Sequence, residues 1–210
     1  MAQHVSEDFA LLETLRLHDG AYTLLARHVQ RLMRSARYFQ FMVAASAVTA
    51  ALHAYAQALP AGCWRVRLLV SRAGRVRLEH HPVAPLPPQP LTVALAGSPV
   101  ASDDMFLAHK TTQRAVYAAH RAEHPAVFEV LLWNERGELT EFTTGNLVVE
   151  LDGAWLTPAC ASGLLPGTLR AELLEQGTIR EAVLPCTVLA QAARLWFINS
   201  VRGQVEVRLG

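Results

Sequence analysis

The strand-like segments of this chain come in pairs joined by tight turns, and single helices separate those pairs. Arg65–Ser71 and Arg75–Glu79 alternate charged and apolar residues on either side of an Ala-Gly turn, a pattern that predicts a β-hairpin. Asn146–Leu151 and Ala154–Thr157 flank Asp152-Gly153 in the same way. Strands and helices therefore do not alternate as a regular parallel sheet would require, and the order predicts an α+β fold.

Periodicity along the rest of the chain supplies the other elements. The predicted helices are Ala26–Phe39, Ala45–Leu59, Thr111–Glu123 and Pro166–Gln176. The further predicted strands are Leu11–Leu17, Tyr22–Leu24, Leu91–Ala96, Phe128–Trp133, Leu195–Asn199 and Val205–Leu209. We predict an N-terminal subdomain over residues 1–97, a linker over residues 98–104 and a C-terminal subdomain over residues 105–210.

Composition and charge exclude several classes of function. Of the 210 residues 51% are hydrophobic and 18% charged, which is typical of a globular protein, and the net charge of +1 argues against nucleic acid or membrane partners. No apolar run is long enough to span a bilayer, and residues 1–8 do not resemble a signal peptide. Cysteines at three distant positions, without a Cys-x-x-Cys pair, predict neither a metal site nor disulfides and favour the cytoplasm.

Lys110 is the only lysine in the chain, which contains 18 arginines. Lysine can lose its proton and act as an amine nucleophile or base, whereas arginine stays charged. If the chemistry requires a side-chain amine that forms a Schiff base, Lys110 must provide it. The alternative is an ordinary surface lysine in a chain biased toward arginine.

Other residues have the chemical types that pyridoxal phosphate requires. Arg31 and the Gly167-Thr168 pair at the predicted start of a helix could bind a phosphate, and Glu141 could pair with a protonated pyridine nitrogen. The alternatives are a solvated helix face for Arg31, a plain helix start at Pro166 and a surface strand position for Glu141. The chain contains no Gly-x-Gly-x-x-Gly, Walker or Gly-x-Ser-x-Gly motif.

The order of several short segments resembles the class IV aminotransferase family, the fold-type IV pyridoxal phosphate enzymes, over about residues 9–208. The segments are Leu12-Glu13-Thr14-Leu15-Arg16, Arg27-His28-Val29-Gln30-Arg31-Leu32, His109-Lys110-Thr111-Thr112, the hairpin from Asn134 to Glu141, Asn146, and Ser162 to Arg170. The resemblance implies a two-subdomain fold similar to D-amino acid aminotransferase, with the cofactor between the subdomains. It also implies a homodimer.

The resemblance carries family roles to single positions. It implies that Lys110 is the Schiff-base lysine and proton shuttle, and that Glu141 is the partner of the pyridine nitrogen. It implies phosphate contacts from Arg31, Gly167, Thr168 and Ser200.

His-Lys-Thr-Thr and the run from Asn199 to Gly203 look most like the 4-amino-4-deoxychorismate lyase branch of the family. That branch eliminates pyruvate from 4-amino-4-deoxychorismate and leaves 4-aminobenzoate for folate synthesis. A substrate with two carboxylates suits arginine, and the candidates are Arg202, Arg16 and Arg114, with surface charge as the alternative for the last two. The alternative functions are a branched-chain or D-amino acid aminotransferase and, from another class, a non-catalytic homologue that acts as a binding module.

Overall fold

The computed structural model describes residues 9–210, and these residues form two compact units. Of the described residues, the first unit contains residues 9–83 together with Lys110–Gln113. The second contains Ala84–His109 and Arg114–Gly210. The prediction that no signal peptide is present concerns residues 1–8, which lie outside the described residues.

A four-stranded antiparallel sheet forms the centre of the first unit. Its strands are β1 (Leu11–His18), β2 (Ala21–Tyr22), β3 (Cys63–Val70) and β4 (Val76–Pro82), in the order β2-β1-β3-β4. Along β1, Glu13, Leu15 and Leu17 are buried, whereas the residues between them are more exposed. Because side chains alternate between the two faces of a strand, a carboxylate therefore lies on the buried face of this sheet.

Two helices complete the first unit, α1 (Leu25–Phe39) and α2 (Ala45–Ala58). Helix α1 packs against β1. Its buried residues recur at helical spacing and include two basic side chains; they are His28, Arg31, Leu32, Ser35 and Ala36. The alternative that Arg31 lies on a solvated helix face is therefore wrong, since this side chain is only 8% exposed.

The segment Lys110–Thr112 is extended and lies beside β1. The amide of Leu12 donates to the carbonyl of Lys110 at 3.0 Å, and an antiparallel bridge follows at the next residue. Because β1 binds these backbone groups, the predicted helix over Thr111–Glu123 is wrong in its first turn. That helix, α4, spans Ala115–Glu123.

The second unit contains eight strands in one sheet. They are β5 (Leu91–Leu95), β6 (Glu129–Trp133), β7 (Leu139–Phe142), β8 (Gly145–Leu151), β9 (Ala154–Pro158), β10 (Arg180–Ala182), β11 (Arg194–Asn199) and β12 (Gly203–Leu209). Their order is β10-β9-β8-β11-β12-β5-β6-β7, and β7 also pairs with β8. The strands β8, β11, β12, β5, β6 and β7 therefore form a closed ring of paired neighbours. The main apolar cluster of this unit comes from these strands and includes Val93, Leu131, Phe142, Phe197 and Val205, each at most 1% exposed.

The helices of the second unit are α3 (Met105–Ala108), α4 and α5 (Thr168–Glu175), with two 3₁₀ turns at Cys160–Ser162 and Cys186–Ala190. The predicted helix start at Pro166 is two residues early, because Gly167 keeps an extended conformation and only its carbonyl begins the helical hydrogen bonds. With these local differences, the predicted α+β class is confirmed.

The division into units differs from the predicted subdomains. Strand β5 pairs with β6 and β12 and so belongs to the second unit, which therefore begins at Ala84 rather than beyond residue 97. The predicted linker lies inside that unit, where Val100 bridges to Asn134 and Ser102 donates twice to Glu135. Lys110, predicted in the C-terminal subdomain, belongs to the first unit because its backbone pairs with β1.

Candidate active site

In the first unit, the predicted phosphate ligand Arg31 is bound to a buried carboxylate. Its Nε donates to Glu13 Oε1 at 2.8 Å and its Nη2 donates to Glu13 Oε2 at 2.7 Å. His28, one helical turn earlier, places Nδ1 at 2.7 Å from Glu13 Oε2. Glu13 is only 1% exposed. The paired hydrogen bonds of the guanidinium fork fix the orientation of Arg31.

Charge compensation keeps this carboxylate ionised. Burial by itself would raise the pKa of Glu13, but the charge and hydrogen bonds of Arg31, followed by those of His28, lower it to about 2. Burial lowers the pKa of His28, the Glu13 carboxylate opposes that change, and the positive charges of Arg31 and Lys110 lower it further. The amine of Lys110 therefore contributes to the electrostatics of this cluster.

In the second unit, Glu141 lies on β7 and is 3% exposed, so the alternative of a surface strand position is wrong. Its Oε1 accepts a hydrogen bond from the Tyr117 hydroxyl at 2.8 Å and another from the Leu165 amide at 3.1 Å. Burial, and then the negative charge of Glu141, raise the pKa of Tyr117 well above its usual value. Tyr117 therefore stays protonated and can donate.

Asn146 joins Glu141 to the start of α5. It is the partner of Glu141 across the β7–β8 hairpin, and its Nδ2 donates to the carbonyl of Leu165 at 2.8 Å. A side chain on Gly167 would overlap Asn146 Oδ1, so a larger residue here would displace the Asn146 side chain and its hydrogen bond to Leu165. The amide and the carbonyl of Leu165 are thus both hydrogen-bonded, and these two bonds fix the path of the chain into Thr168, the first residue of α5.

The predicted Ser200 also belongs to this end of the second unit. It is 8% exposed and directly follows β11. Ile198 pairs with Asn146, and the side chain of Asn199 donates to Thr144 O at 3.2 Å. Four predicted residues of the second unit, which are Glu141, Gly167, Thr168 and Ser200, therefore all lie on segments that meet around Asn146.

The three arginines predicted to bind substrate have different surroundings. Arg202 donates to the carbonyl of Ala84. Arg114 donates to Thr143 O at 2.6 Å and lies over the ring of Tyr117. Arg16 is partly exposed on β1. Their assignment to substrate stays a prediction.

Four residues at these sites were given no role from the sequence. They are Glu13, His28, Tyr117 and Asn146. Strand alternation in β1 was a usable signal for Glu13, because it puts this carboxylate on the face of Leu15 and Leu17. No local pattern links Tyr117 to Glu141, which is 24 residues away.

Each unit, taken by itself, contains groups of the chemical types that pyridoxal phosphate requires. The second unit supplies a buried carboxylate for a pyridine nitrogen and a helix start with a hydroxyl, suited to a phosphate. The first unit supplies one amine, Lys110, and one oriented guanidinium, Arg31. Within residues 9–210 no group of three or more His, Cys, Asp or Glu side chains could hold a metal ion, and none of the helices there could cross a bilayer.

Comparisons with known proteins identify the family of this chain. The amino-transferase class IV family matches residues 10–209. A Schizosaccharomyces pombe protein named "Putative aminodeoxychorismate lyase" is 34% identical over 185 residues, covering 83% of this chain and 77% of that protein. The crystal structure of a "Putative amino-acid aminotransferase" from Mesorhizobium loti has a TM-score of 0.90 and 35% identity, covering 97% of this chain and 100% of the other.

A third comparison concerns the fold alone. The PLP-bound form of a hypothetical aminotransferase from Mycobacterium tuberculosis has a TM-score of 0.80 at 22% identity, covering 97% of this chain and 82% of the other. The architecture is that of the fold-type IV pyridoxal phosphate enzymes. This chain belongs to the class IV aminotransferase family, a family of pyridoxal phosphate-dependent enzymes, which confirms the resemblance found in the sequence.

Proposed function

We propose that this enzyme is an aminodeoxychorismate lyase, which eliminates pyruvate from 4-amino-4-deoxychorismate and releases 4-aminobenzoate for folate synthesis. The observation that carries this proposal is the similarity to the S. pombe relative of that name, at 34% identity over 83% of this chain. The short segments around Lys110 and Arg202 support the same branch of the family. The substrate is therefore a small amino compound with two carboxylates.

The proposed cofactor is pyridoxal 5'-phosphate, and different residues would bind different parts of it. Lys110 would attach the cofactor, and Glu141 would pair with the protonated ring nitrogen. Phosphate contacts would come from Arg31, Gly167, Thr168 and Ser200. When bound, pyridoxal phosphate supplies an electron sink for the electrons left behind by a departing proton.

The residues of this chain then have separate tasks. Lys110 is the one side-chain amine, so it also moves protons to and from the substrate. Its backbone is held by β1 through the Leu12 amide, which limits where that amine can reach. Oε1 of Glu141 accepts hydrogen bonds from the Tyr117 hydroxyl and the Leu165 amide, and these bonds favour the negative charge that a protonated ring nitrogen requires. Loss of pyruvate leaves an aromatic ring, and this aromatisation drives the reaction forward.

Amino acid transamination, of branched-chain or D-amino acids, is the second candidate function. It is supported by the 35% identity and TM-score of 0.90 with the M. loti structure, whose name is that of an amino-acid aminotransferase. The residues proposed to bind the cofactor are compatible with either reaction. The two functions differ in their need for a keto acid acceptor.

The cofactor is tested by reduction with borohydride in the presence of pyridoxal phosphate, followed by peptide mass mapping. Because Lys110 is the only lysine, a cofactor reduced onto a lysine side chain identifies that residue. Arg77→Lys is the matched control, since it adds an exposed amine at a position where the native side chain is 77% accessible. Label on Lys110 alone in both proteins is expected. Label at position 77 of the control in similar amount, or no label, would contradict a specific Schiff-base site.

The reaction is tested by incubating the holoenzyme with 4-amino-4-deoxychorismate and measuring pyruvate and 4-aminobenzoate. Equal amounts of both products without a keto acid are expected, and Lys110→Arg should lower the rate by a factor of about 10³ or more. A strict requirement for a keto acid would transfer the assignment to transamination. Absence of both reactions, with no bound cofactor, would favour a non-catalytic binding module.

The proposal includes a cytoplasmic homodimer. The described cysteines, Cys63, Cys160 and Cys186, are all free thiols, as is usual in a reducing compartment. The dimer follows from the family resemblance and is tested by the molar mass in light scattering.

A further inference from the structure

We propose that Tyr117 is a positioning residue for the cofactor, because it holds the Glu141 carboxylate in place and in its charged form, and that Arg114 supports Tyr117. This inference rests on the proposed role of Glu141 as partner of the ring nitrogen. Arg114 then acts on the carboxylate through Tyr117 and does not bind the substrate.

The first observation is the shared oxygen. The Tyr117 hydroxyl and the Leu165 amide lie 2.8 Å and 3.1 Å from Glu141 Oε1, and the three residues lie on α4, on the segment before α5 and on β7 of the second unit. Tyr117 is 6% exposed and Glu141 is 3% exposed. A hydrogen bond to a buried charged acceptor is about twice as strong as one between neutral groups. Removing this hydroxyl therefore weakens both the orientation of the carboxylate and its preference for the ionised state.

The second observation is the position of Arg114. Its guanidinium carbon lies 4.4 Å from the centre of the Tyr117 ring, within the range of a cation–π interaction. Its Nη2 donates to Thr143 O at 2.6 Å, and Thr143 begins the turn that follows Glu141. Arg114 thus contacts both Tyr117, which donates to Glu141, and the turn that follows β7. A guanidinium engaged in this way suits positioning better than recognition of a substrate carboxylate.

The turn between β7 and β8 is also held by hydrogen bonds to Glu129. The hydroxyls of Thr143 and Thr144 donate to Glu129, which is 7% exposed at the start of β6. With the turn anchored at Glu129 and Arg114, the remaining freedom of Glu141 lies in its side chain. The Tyr117 hydroxyl and the Leu165 amide both restrict that freedom through their hydrogen bonds to Oε1.

The packing of Tyr117 makes its hydroxyl separable from its ring. The ring lies in an apolar cluster with Ala96, Val100, Leu107, Val130 and Leu132. Phenylalanine would keep these contacts and lose only the donor. Tyr22→Phe is the matched control, because the Tyr22 hydroxyl donates to Leu52 O at 3.1 Å in the first unit and has no part in the proposed cofactor site.

The experiment measures the dissociation constant of pyridoxal phosphate by absorbance titration between pH 8 and pH 5, for the wild type, Tyr117→Phe and Tyr22→Phe. Thermal unfolding of the cofactor-free proteins is measured in parallel. Tyr117→Phe is expected to bind about tenfold more weakly at neutral pH. Its affinity should also be lost at a higher pH than that of the wild type, because Glu141 takes up a proton more readily. Tyr22→Phe should follow the wild-type pH profile.

A pH profile of Tyr117→Phe that runs parallel to the wild type, whatever its thermal stability, would overturn the positioning role. A wild type that does not bind the cofactor would refute the proposed function instead. Arg114→Gln gives an independent measurement if Tyr117→Phe folds poorly. It should shift the pH profile in the same direction by a smaller amount. A higher KM for substrate with an unchanged cofactor profile would return Arg114 to substrate binding.

Discussion

Replacing Glu13 by glutamine removes one charge from the buried cluster of Glu13, Arg31 and His28 while keeping the size of the side chain. Arg31 would keep its charge at 8% exposure without the carboxylate that now accepts two of its hydrogen bonds. Breaking a buried pair from one side usually costs about 3–5 kcal/mol, because the remaining charge is left uncompensated. We therefore expect the cofactor-free protein to lose about 3 kcal/mol of unfolding free energy at pH 7.

The pH dependence of stability gives a second estimate of what the charge of Glu13 contributes to the free energy of unfolding. The pKa of Glu13 is lowered from 4.5 to about 2 in the folded protein. A lowered carboxyl pKa gives stability that is present above pH 4.5 and is lost as the pH falls toward 2, by about 3 kcal/mol for such a shift. The lowered pKa of His28 acts in the same direction, beginning below its ordinary value of 6.5. Glu13→Gln should therefore have a shallower pH dependence in the acid range than the wild type.

Urea unfolding followed by far-ultraviolet circular dichroism, at several pH values between 7 and 3, measures both effects. Glu79→Gln is the matched control, since this carboxylate lies on β4 of the same sheet and also pairs with arginines but is 25% exposed. It should change the unfolding free energy by no more than about 1 kcal/mol. If Glu13→Gln is as stable as Glu79→Gln at pH 7 and equally sensitive to acid, the reasoning on the buried cluster is refuted.

Two glycines allow further predictions. Gly167→Ala should weaken pyridoxal phosphate binding at least about tenfold in absorbance titrations, because the new methyl group overlaps Asn146 Oδ1 and displaces the chain before α5; wild-type affinity would contradict this. Gly145→Ala should lower the unfolding free energy by about 3 kcal/mol, since its methyl group overlaps the buried Phe197 ring and lies 2.8 Å from Ile198 O. Urea unfolding checks that value, and a change below about 1 kcal/mol would show that the ring can move aside.

The helices and strands that could be predicted from sequence are those whose hydrogen-bond partners lie close by in the chain. The hairpin of β3 and β4 follows from alternation and an Ala-Gly turn, and α1 follows from its helical spacing. The extended segment at Lys110 could not be predicted in this way. Its hydrogen-bond partner is β1, about 100 residues earlier, so no local signal opposes the helical propensity of the residues that follow.

The same distinction applies to the candidate site. Lys110 and Glu141 could be proposed from chemistry, order and resemblance to a family. Burial of Arg31 was harder to foresee, because an arginine on an exposed helix face is the usual case and its partner Glu13 lies on another element. The hydrogen bond from Tyr117 to Glu141 depends on how α4 packs against β6, the neighbour of β7, which only the folded chain determines.

The path of the chain has a consequence for its synthesis. The first unit takes residues up to Val83 and then Lys110–Gln113, so the chain passes from one unit to the other three times. A ribosome must therefore add about 30 further residues after Val83 before the last segment of that unit becomes available. Cleavage in the proline-containing stretch after Val83 would leave Lys110–Gln113 on the C-terminal fragment and the rest of the first unit on the N-terminal fragment. The two fragments would then have to associate to restore the first unit with its lysine.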